Sequence, residues 1–212
     1  MAVIVAYEQV QRFFPALAEA ADVVGSVQIR SRATLAGNIC NGSPAADTTP
    51  PLLVFDAVVV AAGPGGTRRI PIDEFVVGPG KTALADNELV AAIELPIPER
   101  AYGSAYQRLT RRRGTDLASI TLCCGVSPDG VTRLAYGSVG PRAFLVTDET
   151  GALADAAKPI AEKAELLDGM FHLATPSIRS MRASPEYRLA MLRVLGSRAL
   201  ETAIERLAKE LV

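Results

Sequence analysis

The sequence predicts an α+β fold, in which helices and antiparallel strands occupy separate tracts rather than alternating. Three observations point there. Apolar runs flank a Gly-Pro-Gly-Gly turn at residues 63–66, three strand-like segments succeed one another between residues 102 and 139, and the chain closes on one long amphipathic tract. Pro96-Ile97-Pro98 is the best candidate boundary and divides the chain into residues 1–96 and residues 97–212.

The elements follow in order. Tyr7–Phe13 and Pro15–Val23 suit two short helices, with Pro15 in a first turn where its missing N–H costs nothing. Arg30–Thr49 is expected to be an irregular loop, because Pro44 and the Pro50-Pro51 pair stiffen it and bar a helix through it. Pro51–Phe55 begins a helical turn, Val58–Val60 is a strand, and the glycine-rich turn returns the chain to a second strand near Arg69–Pro71. Asp73–Lys81 reads as a loop around Gly78-Pro79-Gly80, and Leu89–Leu95 as a strand. Beyond the boundary, Tyr102–Leu109, Ala118–Val126 and Val131–Val139 read as strands, with Pro128-Asp129-Gly130 turning between the last two. Gly151–Leu166, rich in alanine, and Pro185–Leu211 read as helices. Ser184 is placed to cap the second, with Pro185 at its first position. Leu192, Leu195, Ala199, Ala203, Leu207 and Leu211 recur every three to four residues, so that face should pack on the sheet.

Composition narrows the function. At 212 residues the chain can bury a real core, and 49% hydrophobic with 21% charged residues is ordinary for a globular protein. A net charge of −1, few aromatics and no Trp argue against nucleic acid as a partner. No run approaches the roughly 18 to 20 apolar residues of a membrane span, and the first residues lack the basic flank of a signal peptide, so a cytoplasmic location is expected. Three cysteines and one histidine fall short of the ligand sets of iron–sulfur or structural zinc sites. Cys123 and Cys124 read as buried small hydrophobes, and His172 as structural or solvent-facing, so no metal is expected. Nor do the Asp and Glu residues stand in any spacing that marks an acid–base or nucleophile set.

The most informative stretch is Gln28 to Asp56. Gly37 and Gly42 let the backbone approach closely or take positive φ, while Thr34, Asn38, Ser43 and Asp47 offer short polar tips. These are either the turn caps of a surface loop or a grip on the hydroxyl-rich arm of a cofactor.

Thr34-Leu35-Ala36-Gly37-Asn38-Ile39 followed by Ser43-Pro44-Ala45-Ala46-Asp47 resembles the flavin-loop signature of the FAD-binding subunit of molybdenum hydroxylases. This is the xanthine dehydrogenase and aerobic carbon monoxide dehydrogenase family, whose usual form is Thr-Ile-Gly-Gly-Asn-Ile then Ser-Pro-x-x-Asp. Ala36, in place of the first glycine of the pair, is the one non-conservative departure inside the motif. Leu89 to Pro96, the Arg112 to Ser119 run and Ser184-Pro185-Glu186-Tyr187-Arg188 extend the resemblance over essentially the whole chain.

The resemblance implies an oxidoreductase flavoprotein subunit. Its fold would be the second half of a two-subdomain FAD-binding domain, followed by a small antiparallel sheet packed with helices. The implied cofactor is FAD. Thr34, Gly37, Asn38, Ser43 and Asp47 would line its ribityl and ring region, Cys40 would back the ring, and Val90 and Gln107 match flavin-side positions. The implied partners are an iron–sulfur subunit and a molybdopterin subunit, from which electrons would reach FAD and pass to an acceptor.

Two departures weaken the expectation of tight binding. Met1–Ala6 aligns with a strand that in the family follows an amino-terminal subdomain, whose Gly-rich loop wraps the FAD diphosphate. The only Gly-rich cluster here, at 63–66, reads as a hairpin turn. The position of a family lysine facing the flavin is Gln107, which lacks a charge to stabilise reduced flavin. The cluster Arg108, Arg111, Arg112 and Arg113 that follows would ordinarily be a solvated strand end. FAD is therefore expected to be held weakly or not at all by this chain, and apolar surface left open should drive self-association. The alternative is a truncated, non-catalytic homologue that serves only as an association subunit.

Overall fold

The computed structural model describes residues 1–112 and 114–210. The chain opens with α1 (Ala2–Ala6), α2 (Glu8–Phe13), α3 (Pro15–Asp22) and α4 (Val27–Arg30), then α5 (Leu35–Cys40) and α6 (Thr49–Val54). The hairpin β1 (Val58–Gly63) and β2 (Gly66–Pro71) follows, then α7 (Ile72–Phe75), the short pair β3 (Val76–Gly78) and β4 (Lys81–Thr82), and β5 (Leu89–Glu94). The remainder comprises β6 (Gly103–Leu109), β7 (Ile120–Val126), β8 (Thr132–Gly137), β9 (Phe144–Asp148), a 3₁₀ turn at Ile160–Lys163, α8 (Ala164–Gly169) and α9 (Pro185–Glu210). Among the described residues every strand pairing is antiparallel, in sheets ordered β2-β1-β5, β3-β4 and β6-β7-β8-β9. The α+β reading holds.

The four-stranded sheet organises the molecule because it is covered on both faces. Leu122, Cys124, Leu134 and Tyr136 pack with Leu192, Leu195, Ala199 and Ala203 of α9. Tyr106, Cys123 and Ala135 point the other way, into a core shared with Leu17, Leu53, Phe55 and Val59. Strand alternation sends the adjacent cysteines to opposite cores, and burial pushes both thiols well above their ordinary range. All seven residues of β7 are buried, as a strand covered on both faces requires. Ser184 caps α9, its Oγ accepting from the Tyr187 N–H at 3.2 Å. The expected Leu211 of the helical stripe and Arg113 of the arginine cluster lie outside the described residues.

Four expectations need correction. Met1–Ala6 is not a strand. Among the described residues no strand pairs with it, and helix α1 instead seats Met1 against Ala21 and Val24 while the Met1 amine donates to the Ala33 carbonyl. The 30–49 segment is not wholly irregular, since Thr34 caps a helical turn before Pro44 intervenes. Asp73–Lys81 holds most of α7 and the β3–β4 hairpin, with Phe75 fully buried as an anchor. Gly151–Leu166 is helical only from Ile160. The Asp148 carboxylate folds residues 149–153 into turns by accepting from the Thr150 and Leu153 N–H groups, and Gly151 takes a φ of +77°. Strand β9, which precedes it, was not among the predicted elements.

Candidate functional site

A groove of about 380 Å³ opens where the segment following α5 meets β6 and the approach to α9. Its walls include Asn38, Asn41, Ser43 and Asp47 on one side, and Arg108, Arg112, Asp116 and Arg182 on the other. Local chemistry explains the first wall. The Gly37 N–H donates to Thr34 Oγ1 at 2.9 Å, starting the turn that presents Asn38. Asn38 Oδ1 accepts from the Thr48 hydroxyl at 2.7 Å, which fixes its amide.

The chain beyond is pinned at three points. The Gly42 carbonyl accepts from the Gly80 N–H at 2.9 Å and the Pro44 carbonyl from the Ser138 N–H at 2.7 Å. Gly42 itself sits at φ +58°, and a Cβ there would come within 2.8 Å of the Lys81 nitrogen, so glycine is needed twice over. The third pin is Asp47, whose Oδ1 accepts from the Tyr106 hydroxyl at 2.7 Å. The Arg108 Nε lies 3.1 Å from the same oxygen, close enough for an ion pair yet misaligned for a hydrogen bond. Arg108 Nη1 donates to the Val23 carbonyl at 2.8 Å and Nη2 to that of Asp116.

This is a desolvated polar cluster. Only 11% of the Asp47 side chain and 14% of the Arg108 side chain are exposed. Burial raises the Asp47 carboxyl above its ordinary value, and Arg108 and the Tyr106 hydrogen bond pull it only some of the way back. Burial first, and the Asp47 charge second, drive Tyr106 far upward, so it stays a hydroxyl donor. Asp116 is held below its ordinary range, first by its hydrogen bond from Arg111, 3.0 Å away.

The structure brings Asn38, Ser43 and Asp47 together on the groove. Thr34, Gly37 and Cys40 stand on or beside the same helical turn without lining it, Thr34 acting as its cap. Val90 packs half-buried against the core from β5, beside α5. Gln107 shares the β6 face of Ala105, which packs toward α9, opposite the face that carries Tyr106 and Arg108. Arg108 is not a solvated strand end: it is half-buried and engaged by Asp47, Val23 and Asp116. Tyr106, Arg108 and Arg182 were missed as site residues. A tyrosine and an arginine two apart on a buried strand were the available signal for the first two.

Comparison with known proteins decides the family. The description "FAD binding domain in molybdopterin dehydrogenase" matches residues 2–98. The "Xanthine dehydrogenase FAD-binding subunit" of Escherichia coli O157:H7 is 31% identical over 92% of this chain and 68% of its own length. The carbon monoxide dehydrogenase medium chain of Hydrogenophaga pseudoflava is also 31% identical, over 94% of this chain and 70% of its own. The chain belongs to the FAD-binding medium-subunit family of molybdopterin dehydrogenases. A solved carbon monoxide dehydrogenase from Hydrogenophaga pseudoflava superposes on 96% of this chain and 72% of its own with a TM-score of 0.83, at 29% identity. The family fold is therefore present from α1 to α9.

The groove's donor set fits the family's cofactor. A carboxylate, two side-chain amides and a hydroxyl on pinned backbone suit a hydroxyl-rich arm. No protein donor reaches Asp47 Oδ2 among the described residues, which leaves it as an acceptor at the groove. Among those residues no set of three or more His, Cys, Asp or Glu could hold a metal, and no helix is long and apolar enough to cross a membrane.

Proposed function

We propose that this chain is an electron-transfer subunit that holds FAD along the Asn38–Asp47 groove and works with an iron–sulfur subunit and a molybdopterin subunit. The observation that carries the reading is the pinned loop itself. Asn38, Ser43 and Asp47, the family's short polar residues, stand side by side on one groove, fixed by Thr48, Tyr106, Gly80 and Ser138. FAD supplies the redox chemistry when bound. The chain's own residues orient it: Asp47 and Ser43 meet ribityl hydroxyls, and Asn38 fixes the ring end. Thr34, Gly37, Cys40 and Val90 support that wall from behind, while Gln107, on the α9 face, would act only through the strand. The division at Pro96 belongs to the same proposal, with residues 1–96 forming the cofactor wall and residues 97–212 the sheet that anchors it. Val3, Val27, Ile178 and Met181 are all more than two-thirds exposed, which favours association of the isolated chain.

Binding by residues 1–212 alone is expected to be weak. The glycine cluster at 63–66 is spent on the β1–β2 turn and offers no nest of N–H groups to a diphosphate. Two or three missing charge-assisted hydrogen bonds correspond to about 3 to 9 kcal/mol, roughly two to six powers of ten in affinity. Flavin fluorescence titration of the purified chain should therefore give a dissociation constant above about a micromolar. Sub-micromolar binding would show that no further diphosphate contacts are needed. No saturable flavin binding at any concentration would favour the association-only reading.

A further inference from the structure

One end of the groove carries positive charge that nothing in the protein answers. Arg182 lines the groove two residues before the cap of α9, and its Nε is buried without a partner. No hydrogen bond or ion pair to its guanidinium is found among the described residues. Behind it lies Arg188, 5% exposed, whose Nη1 donates to the Ser138 carbonyl at 2.7 Å and whose Nη2 donates to Ser180 Oγ. Ser180 Oγ also accepts from the Arg182 N–H at 3.3 Å, tying the two arginines to one turn. The Arg188 Nε and the Ser138 hydroxyl are likewise buried without partners, and Ser138 is held at a φ of +66°.

The groove's carboxylates cannot supply the missing charge. Asp47 spends Oδ1 on Tyr106 and Arg108, Asp116 pairs with Arg111, and among the described residues neither carboxylate forms an ion pair with Arg182. Burial, and then the neighbouring Arg182 charge, lower the Arg188 guanidinium from its ordinary value, as expected for two cations packed together without an anion. Arg188 is buried and Arg182 half-buried with its Nε buried, and desolvated cations that meet no anion are costly in a folded protein and point to a ligand.

We propose that the Arg182 end of this groove is a phosphate-binding subsite. Arg182 contacts the anion, and Arg188 is a positioning residue that adds a second positive charge from behind. Two uncompensated guanidinium groups match a dianion better than a carboxylate, and the planar guanidinium suits phosphate oxygens. The amino end of α9 adds to the same field. The phosphate belongs either to the flavin nucleotide or to a separate phosphate or mononucleotide.

The test is calorimetric titration of residues 1–212 with sodium phosphate at constant ionic strength, since salt alone screens exposed charge. Wild type is expected to bind saturably, and Arg182→Gln to weaken that binding by about tenfold or more with an unchanged circular dichroism spectrum. Arg188→Lys keeps the charge but loses the fork, so phosphate affinity should fall while cooperative melting is retained. If that variant does not fold, Arg182→Gln decides alone. Competition between phosphate and FAD, with Arg182→Gln weakening FAD but not riboflavin, assigns the subsite to the flavin's own diphosphate. Simultaneous saturation by phosphate and FAD assigns it to a separate phosphate, with AMP as the nucleotide probe. Absence of saturable phosphate binding, or equal binding by Arg182→Gln, overturns the proposal. Loss of flavin binding with phosphate binding intact would sink the cofactor reading and leave this one standing.

Discussion

Replacing Gly103 by alanine is expected to detach α9 from the sheet and cost about 3 kcal/mol or more. Gly103 opens β6, and a Cβ at that position would overlap the Ala203 carbonyl oxygen and lie 2.8 Å from the Leu207 nitrogen. Both atoms are helix backbone, so no rotamer change relieves the overlap; the helix must move. That movement would open the packing of Leu192, Leu195, Ala199 and Ala203 against the sheet, which is the core of the carboxy-terminal half. For a chain of this length the expected fall in melting temperature is roughly 6 to 12 °C. Gly78→Ala is the matching control, because its Cβ would meet nothing within 4 Å and its φ is not positive. A Gly103→Ala protein that melts within about 2 °C of wild type would show that α9 is not seated as described.

The second large effect is expected at Asp47. Asp47→Ala leaves the buried Tyr106 hydroxyl without its acceptor and Arg108 without its counter-charge, at a cost of about 2 to 4 kcal/mol. Asp47→Asn retains an oxygen for Tyr106 and should lose less. The two variants also separate by pH. The folded-state carboxyl sits above its unfolded value, so its contribution favours folding below about pH 4 and is lost as pH rises through the folded value. Wild type should therefore lose stability relative to Asp47→Asn across that rise, as read by urea denaturation at a series of pH values. A difference that is flat from about pH 3 to 7 would contradict the assigned burial of this carboxylate.

Much of the fold could be read from local chemistry. Pro15 separates α2 from α3, the Gly-Pro-Gly-Gly turn joins β1 to β2, and Ser184-Pro185 starts α9, each a signal contained within a few residues. The elements that escaped depend on distant partners. Helix α1 is made of valine, isoleucine and alanine, and the first two favour strands; it folds otherwise because Ala21 and Val24 offer a surface rather than a ladder. Strand β9 is five residues long and is defined by its pairing with β8. The site shows the same division. Asn38, Ser43 and Asp47 were legible as a motif, but their grouping with Tyr106, Arg108 and Arg182 needs the sheet and the approach to α9 to come together. An arginine cluster after a strand looks like solvated charge until a buried carboxylate from another segment is found beside it.

The proposed place of the flavin is the groove beside Asn38, Ser43 and Asp47. Amide chemical-shift mapping of the isotope-labelled chain during FAD titration tests it most directly. Shifts are expected to saturate together and concentrate at residues 37–47 and at Arg108 and residues 115–117, with the β1–β2 turn at 63–66 unmoved. Shifts centred on that glycine turn, or on the α9 face of β6 around Gln107 with the 37–47 amides silent, would contradict it.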